Sequence, residues 1–277
     1  MALSLDNVGF RYPVAADVVE PALADVSVAV EAGALTLVLG ATGSGKSTLL
    51  RMASGLLEPS WGTVAIDGEP LTRARARGAV GLVFQDAEAQ LFAETVLDDV
   101  AFGPVNLGAS RAAAQVAACE ALQRVGLSPD EFASRSPFGL SGGEARRAAI
   151  AGVLAMSPRY LLMDEPTAGL DARGRLAVRR IIAAERERCG VVIVSHSAVE
   201  FLGEADRVVL LASGRVTFFG QPEELIARPG AFAEAGLLAP DVLRVQELAA
   251  ERGLPVGEYR LDPQAAAEAL ALARGWR

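Results

Sequence analysis

The chain has 277 residues, enough for one large domain or two small ones and for a sizeable buried core. It carries 26 Lys and Arg against 34 Asp and Glu, a formal net charge of −8, which leaves no basic excess for wrapping nucleic acid. Hydrophobic residues make up 51% and the mean hydropathy is +0.31, yet the longest run without a charged residue, from Ala32 to Gly45, spans only 14 residues. A membrane-spanning helix needs roughly 20 apolar residues, so none is expected.

The first residues show neither a basic start nor a long apolar stretch, and no secretory signal is expected. The chain then alternates, with Leu3, Leu5, Val8 and Phe10 followed later by Val26, Val28, Val30, Val64 and Ile66, which predicts a half-exposed antiparallel sheet. Residues 35–39, 80–84, 160–163, 191–194 and 208–211 are apolar at consecutive positions, the pattern of strands buried on both faces of a mainly parallel sheet. Between them, residues 86–156 are rich in Ala, Leu, Gln and Arg, with helical spacing over 111–125 and 144–156, and predict a helical insertion. Two further helix-like segments, 241–252 and 263–274, follow Gly220. The expected fold class is α/β. The basic cluster Arg73, Arg75 and Arg77 reads as solvated surface. Cys119 and Cys189, each isolated, suit a reducing cytoplasm better than a disulfide framework.

The strongest chemical signal is Gly40-Ala41-Thr42-Gly43-Ser44-Gly45-Lys46-Ser47, placed between a buried strand and the helical start Thr48-Leu49-Leu50. Glycines at this spacing let successive backbone N–H groups converge on phosphate oxygens at a helix N-terminus. Lys46 is expected to reach the β- and γ-phosphates, and the Ser47 hydroxyl to ligate Mg²⁺. The run 160–163 ends in Asp164 and Glu165, so beside a phosphate loop Asp164 is expected in the Mg²⁺ shell and Glu165 as the group that activates water. Ser141-Gly142-Gly143 opens a predicted helix, with Ser141 as N-cap and the glycine pair free to meet an anion.

Taken in order, the phosphate loop, Gln85, Leu140-Ser141-Gly142-Gly143-Glu144, Met163-Asp164-Glu165-Pro166, Gly169-Leu170-Asp171 and Ser195-His196 resemble the ATP-binding cassette (ABC) ATPases over about residues 3–225. That resemblance implies a dimer holding two ATPs, each between the phosphate loop of one subunit and Ser141, Gly142, Gly143 and Asp171 of the other. It further implies Tyr12 stacked on adenine, Gln85 sensing Mg²⁺ and γ-phosphate, and His196 against the γ-phosphate. Glu144 stands where Gln is usual, Ser197 where Asp is usual and Ala87 where Pro is frequent; none removes a catalytic atom.

Residues 81–92, with Thr95-Val96, 98–103 and 146–156, are similar to the ATPases of energy-coupling-factor importers, which take up vitamins and, in related systems, cobalt or nickel. In that family two ATPases, identical or paralogous, pair with an integral membrane coupling protein and a small substrate-binding membrane protein at the cytoplasmic face. Residues 1–225 then form the ATPase domain, and 226–277 resemble the C-terminal extension used in pairing. Asp98 and Asp99 are expected to receive arginines from the membrane partner. An ordinary ABC importer or exporter is the alternative. A clamp acting on DNA or ribosomes fits poorly with one cassette, no heptad run and an acidic charge.

Overall fold

The computed structural model describes residues 1–13 and 20–274. In chain order the first half runs β1 (Ala2–Phe10), β2 (Leu23–Glu31), β3 (Leu35–Leu39), α1 (Lys46–Ala53), β4 (Trp61–Ile66), β5 (Glu69–Pro70), α2 (Arg73–Ala76) and β6 (Val80–Val83). A 3-10 turn at Ala87–Gln90 then leads into α3 (Val96–Asn106), α4 (Arg111–Arg124), α5 (Pro129–Phe132) and α6 (Gly142–Leu154). The chain returns to β7 (Tyr160–Asp164), α7 (Ala172–Glu185), β8 (Gly190–Ser195), β9 (Arg207–Ala212) and β10 (Arg215–Gly220). It ends in α8 (Pro222–Ile226), α9 (Gly230–Glu234), α10 (Asp241–Glu251) and α11 (Pro263–Ala273). The last three residues of the predicted extension lie outside the described residues.

The strands form two sheets. An antiparallel sheet has the order β2-β1-β4-β5, and a six-stranded sheet has the order β10-β9-β3-β8-β7-β6. All neighbours in the second are parallel except β9 and β10. Its parallel strands read as apolar runs because each face meets its own core. Leu37 packs with the helical side, among Ile150, Leu154 and Ile182, while Val38 packs with β1, β2 and α1, among Leu5, Val28 and Leu50. The alternation expected of the first sheet is observed in β2, whose burial alternates through Asp25–Glu31.

The helical insertion occupies the predicted place. β10 is an element the apolar runs do not announce, because its burial alternates along the strand and it closes the sheet edge as a hairpin. The turn before it, Ser213-Gly214, has positive φ at both residues, the geometry of a two-residue hairpin loop. The segment beyond β10 is packed onto the same core: Leu225, Phe232, Ala235 and Leu243 are buried in the cluster that holds Leu37 and Ile193. Among the described residues no helix is long and apolar enough to cross a membrane. Cys119 and Cys189 are unpaired, and burial pushes the Cys189 thiol up to about 11, away from reactive thiolate chemistry.

Candidate functional site

β3 lies in the middle of the parallel sheet and is buried throughout, so the chain leaving its C-terminal end emerges between β8 and β9. There it turns through Gly43 (φ +80°) and Gly45 (φ +105°) into α1. At Gly45 a side chain is excluded twice over, since a Cβ would also stand 2.6 Å from the Ala22 carbonyl oxygen and 2.7 Å from the Leu23 side chain. No side chain caps α1 and no acidic residue lies in its first turn. An anion therefore has no intramolecular rival for those N–H groups.

Lys46, almost fully buried, donates from Nζ to the carbonyl oxygens of Gly40 (2.7 Å) and Ala41 (2.9 Å). Burial lowers its pKa, and the nearby Glu165 and Asp164 carboxylates pull it back up. The ammonium thus rests on the loop's own carbonyls within reach of the acidic strand end.

Around this loop lies a cleft of about 570 Å³ lined by Tyr12, Thr42, Gly43, Gly45, Lys46, Ser47, Thr48, Gln85, Asp164, Glu165 and His196. Residues up to 184 positions apart in sequence therefore share one concave site, from Tyr12 to His196. Gly40 and Ser44 are buried beneath the loop, and Ala41 faces a smaller cavity against α9. Ala22 and Ala168 also line the cleft, and their small apolar side chains carry no sequence signal of it. Tyr12 is 40% exposed, its hydroxyl 3.1 Å from Thr48 Oγ1 and its ring edge-on to Phe10.

Asp164 ends β7, and Glu165 follows with a left-handed backbone (φ +48°), an uncommon state for a residue with a Cβ. Its N–H still donates to Val194 O at 3.0 Å, so the turn is anchored to β8. Glu165 Oε1 is 2.8 Å from His196 Nδ1, and Oε2 accepts from the Ser195 hydroxyl at 3.4 Å. The Ser47 hydroxyl, the Gln85 amide and the Asp164 carboxylate give one cleft three hard oxygen donors with a single ligating carboxylate. That set suits Mg²⁺, which keeps water and phosphate in its shell, better than a cation wanting an all-protein cage. No group of three His, Cys, Asp or Glu able to hold a metal occurs among the described residues.

The second glycine-rich stretch lines a different groove, of about 530 Å³, with Ser141, Gly142, Gly143, Glu144, Arg147, Gly169, Asp171 and Arg173. Among the described residues none lines both the cleft and this groove. Ser141 caps α6 in a reciprocal box: its hydroxyl accepts from the Glu144 N–H (3.4 Å), and its own N–H and hydroxyl donate to Glu144 Oε2 at 2.8 and 2.7 Å. These bonds hold the Glu144 carboxyl below its ordinary range. Asp171 caps α7, accepting from the Gly174 N–H at 2.7 Å. Gly142 and Gly143 have no positive φ, and a Cβ on either would meet nothing within 4 Å.

Asp98 and Asp99 lie in the first turn of α3, where their charge suits the helix dipole. Asp99 Oδ2 accepts from the N–H groups of both Phe92 and Ala93 at 2.8 Å. Asp98 accepts from the Thr95 hydroxyl at 2.7 Å and stands 3.5 Å from exposed Arg111. Both acids thus have partners within the chain. One turn further along α3, Phe102 enters a third groove, of about 590 Å³, with an apolar floor of Leu56, Val80, Leu107 and Met156 and with Arg73 and Arg77 among its lining residues.

Comparison with known proteins identifies relatives of this chain and of its fold. The ABC transporter profile matches residues 23–168. The energy-coupling factor transporter ATP-binding protein EcfA2 of Symbiobacterium thermophilum is 45% identical over 262 residues, covering 92% of this chain and 89% of that protein. Its namesake from Streptococcus sanguinis is 41% identical over 268 residues, with coverage of 94% and 95%. Among solved structures, cbiO1 of Clostridium perfringens, part of the ABC transporter complex cbiONQ, superposes with a TM-score of 0.73 at 31% identity, over 88% of this chain and 98% of that one. The ABC cassette MJ0796, dimeric and bound to ADP and Pi after hydrolysis, gives a TM-score of 0.70 at 28% identity, over 80% and 99%.

An ATP-binding ATPase of the ABC transporter kind is what this fold and cleft define, and the chain belongs to that family. Within it, the likeness is to the ATP-binding subunits of energy-coupling-factor transporters.

Proposed function

We propose that this chain powers the import of a small micronutrient, a vitamin or a transition-metal ion, as one half of an ATPase pair held at the cytoplasmic face of a membrane. The observation that carries the pairing is the glycine pair at 142 and 143. Nothing in the chain's own backbone or packing demands glycine there. Close approach by a phosphate of a nucleotide held in a second subunit does. The phosphate loop and the Ser141–Gly143 segment line different cavities, which fits a division of labour between two nucleotides.

In this reading Tyr12 packs on the adenine, and the loop from Gly40 to Thr48 wraps the phosphates. Lys46 exchanges the carbonyls of Gly40 and Ala41 for phosphate oxygens, a swap that keeps its buried charge compensated. Ser47, Gln85 and Asp164 hold Mg²⁺, which when bound neutralises charge on the phosphates. Glu165 takes the proton of the attacking water, and His196 holds the acid in place and faces the γ-phosphate. Ser141, Gly142, Gly143 and Asp171 act on the nucleotide of the other subunit.

The membrane partner is a coupling protein whose cytoplasmic helix lies in the groove of Phe102, Leu107 and Met156, a helix-in-groove contact, with arginines reaching Asp98 and Asp99. A small substrate-binding membrane protein completes the complex, and no nucleic acid takes part. Tagged chain isolated from native membranes in mild detergent tests this. The expected companions are a multi-span coupling protein, a second ABC ATPase (this chain or a paralogue) and a small membrane-embedded binding protein. Recovery with an extracytoplasmic binding protein, or with no membrane protein at all, would contradict the proposal.

A further inference from the structure

The turn that ends α9 stands against the back of the phosphate loop. Behind that loop lies a cavity of about 320 Å³, walled on one side by Ala41, Thr42, Gly43 and Ser44 and on another by the residues from Ala233 to Gly236. Thr42 and Gly43 line this cavity and the cleft alike, so the loop is a thin partition between the two.

A thin partition takes its shape from what it rests on. Within the loop, Ser44 N–H donates to Ala41 O at 3.1 Å and Lys46 Nζ binds the Gly40 and Ala41 carbonyls, while the buried Ser44 hydroxyl has no hydrogen-bond partner. From outside, the Gly214 N–H of the β9–β10 turn donates to Ser44 O at 3.0 Å and steadies one limb. The other limb is met from α9: a Cβ on Gly236 would stand 3.4 Å from the Ala41 side chain. α9 is itself seated firmly, since Phe232 and Ala235 are buried in the main core. Support therefore runs from the core through α9 to Ala41, whose carbonyl holds the Lys46 ammonium.

Glycine at 236 meets two demands. Its φ of +68° ends the helix, with Gly236 N–H donating to Ala233 O at 3.0 Å and Leu237 N–H to Phe232 O at 2.8 Å. Its bare Cα also lets the turn come close to Ala41. α10 ends in the same way at Gly253 (φ +83°), with Gly253 N–H donating to Ala250 O at 2.9 Å and Leu254 N–H to Ala249 O at 3.0 Å. There, a Cβ would meet nothing within 4 Å. The same turn thus occurs twice beyond β10, once against the phosphate loop and once clear of it.

We propose that the turn at Gly236 positions the phosphate loop, so that the segment beyond β10 sets the cleft's affinity for nucleotide. Gly236 is a positioning residue, acting through Ala41. With the Ala41 limb resting on α9, the loop is populated in the form that receives phosphate. Pushing that limb away lowers the population, and apparent affinity falls by the same fraction. Bound phosphates then hold the loop themselves, so turnover at saturating ATP changes little.

The test compares Gly236→Ala with Gly253→Ala in the full chain, using Mg-ADP binding by calorimetry and steady-state ATP hydrolysis. Each substitution puts a Cβ on a left-handed residue, so both should lower the melting temperature alike. Gly236→Ala alone is expected to weaken Mg-ADP binding about fivefold and to raise KM for ATP by a similar factor, with kcat within about twofold. In a chain carrying Ala41→Gly, which removes the facing methyl, adding Gly236→Ala should weaken binding by less than about twofold, the non-additivity of a direct contact. Should Gly236→Ala fail to fold, amide exchange in the parent chain decides. Mg-ADP should slow exchange at Gly236 and Leu237 about fivefold and leave Gly253 and Leu254 within about twofold, because coupling is mutual. Parent-like binding by Gly236→Ala, equal loss in both alanine variants, or full additivity with Ala41→Gly would overturn the proposal. A fall in kcat at unchanged KM, or equal slowing of exchange at the two turns, would do the same.

Discussion

His196 Nδ1 stands 2.8 Å from Glu165 Oε1, each residue lying one step past the C-terminal end of its strand, β8 and β7. The adjacent parallel strands bring together two side chains 31 positions apart, and the Glu165 N–H bond to Val194 O keeps the acid from drifting. His196 is 66% exposed, so it contributes little packing and its partner here is the acid. His196→Ala is expected to lower the rate of phosphate release by about 100-fold, the low end of what a proton-transfer constellation supplies. Its unfolding free energy should stay within about 0.5 kcal/mol of the parent. Glu165→Gln should lose more, up to about 10⁴-fold, and accumulate a closed dimer in Mg-ATP. Steady-state phosphate release and gel filtration with nucleotide check both.

Lys46→Ala separates the two uses of the ammonium. Without nucleotide the variant loses donors to the Gly40 and Ala41 carbonyls, an expected cost of about 1–2 kcal/mol. The parent should gain thermal stability as ATP is added, by mass action on the folded state. The variant should show no such gain at the same concentrations. Thermal melts across an ATP series read both effects.

Acid should weaken the start of α6 through Glu144. Its carboxyl is held low by the Ser141 hydroxyl and N–H, so the folded chain binds this proton less readily than the unfolded chain. The contribution is complete above the ordinary carboxylate value of 4.5 and is lost as pH falls through the lowered folded value. Glu144→Gln keeps an N3 side chain able to complete the capping box but removes the titration. At neutral pH it should lie within about 1 kcal/mol of the parent, the scale of one cap, and its acid limb should be flatter. Melting temperatures between pH 3 and pH 7 decide the matter, and parallel acid limbs would exclude Glu144.

The sequence was most legible where one local rule governed the outcome. β3, β7, β8 and β9 announce themselves because both faces of the parallel sheet are covered, and the phosphate loop because glycines, Lys46 and Ser47 must be contiguous to work. β10 was less visible: its alternating burial needs β9 beside it, although Ser213-Gly214 is a readable turn. The left-handed backbone of Glu165 leaves no mark in composition, since it comes from anchoring to β8 and not from the residue's own preference. Ala22 and Ala168 reach the cleft only through the fold. The ion pair between Glu88 and Arg146, 58 positions apart, depends on how α6 packs against the turn that follows Gln85.

Asp98 and Asp99 look interchangeable in sequence and differ in structure. Asp99 closes the turn before α3 by accepting two backbone N–H groups with one carboxylate oxygen, so Asp99→Ala leaves both without that acceptor. We expect it to cost about 1.5–3 kcal/mol, the range for bonds to a charged group. Asp98 is partly exposed, and its contact with Arg111 is long, so Asp98→Ala should cost under about 1 kcal/mol. Membrane association should rank the other way if Asp98 is the freer acceptor for a partner's arginine. Asp98→Arg, folded as judged by its melt, should then be lost from complexes purified from membranes while still binding ATP. Urea denaturation of the two alanine variants, with co-purification of Asp98→Arg, tells a docking acid from a structural one; full recovery of Asp98→Arg with its membrane companions would remove Asp98 from the interface.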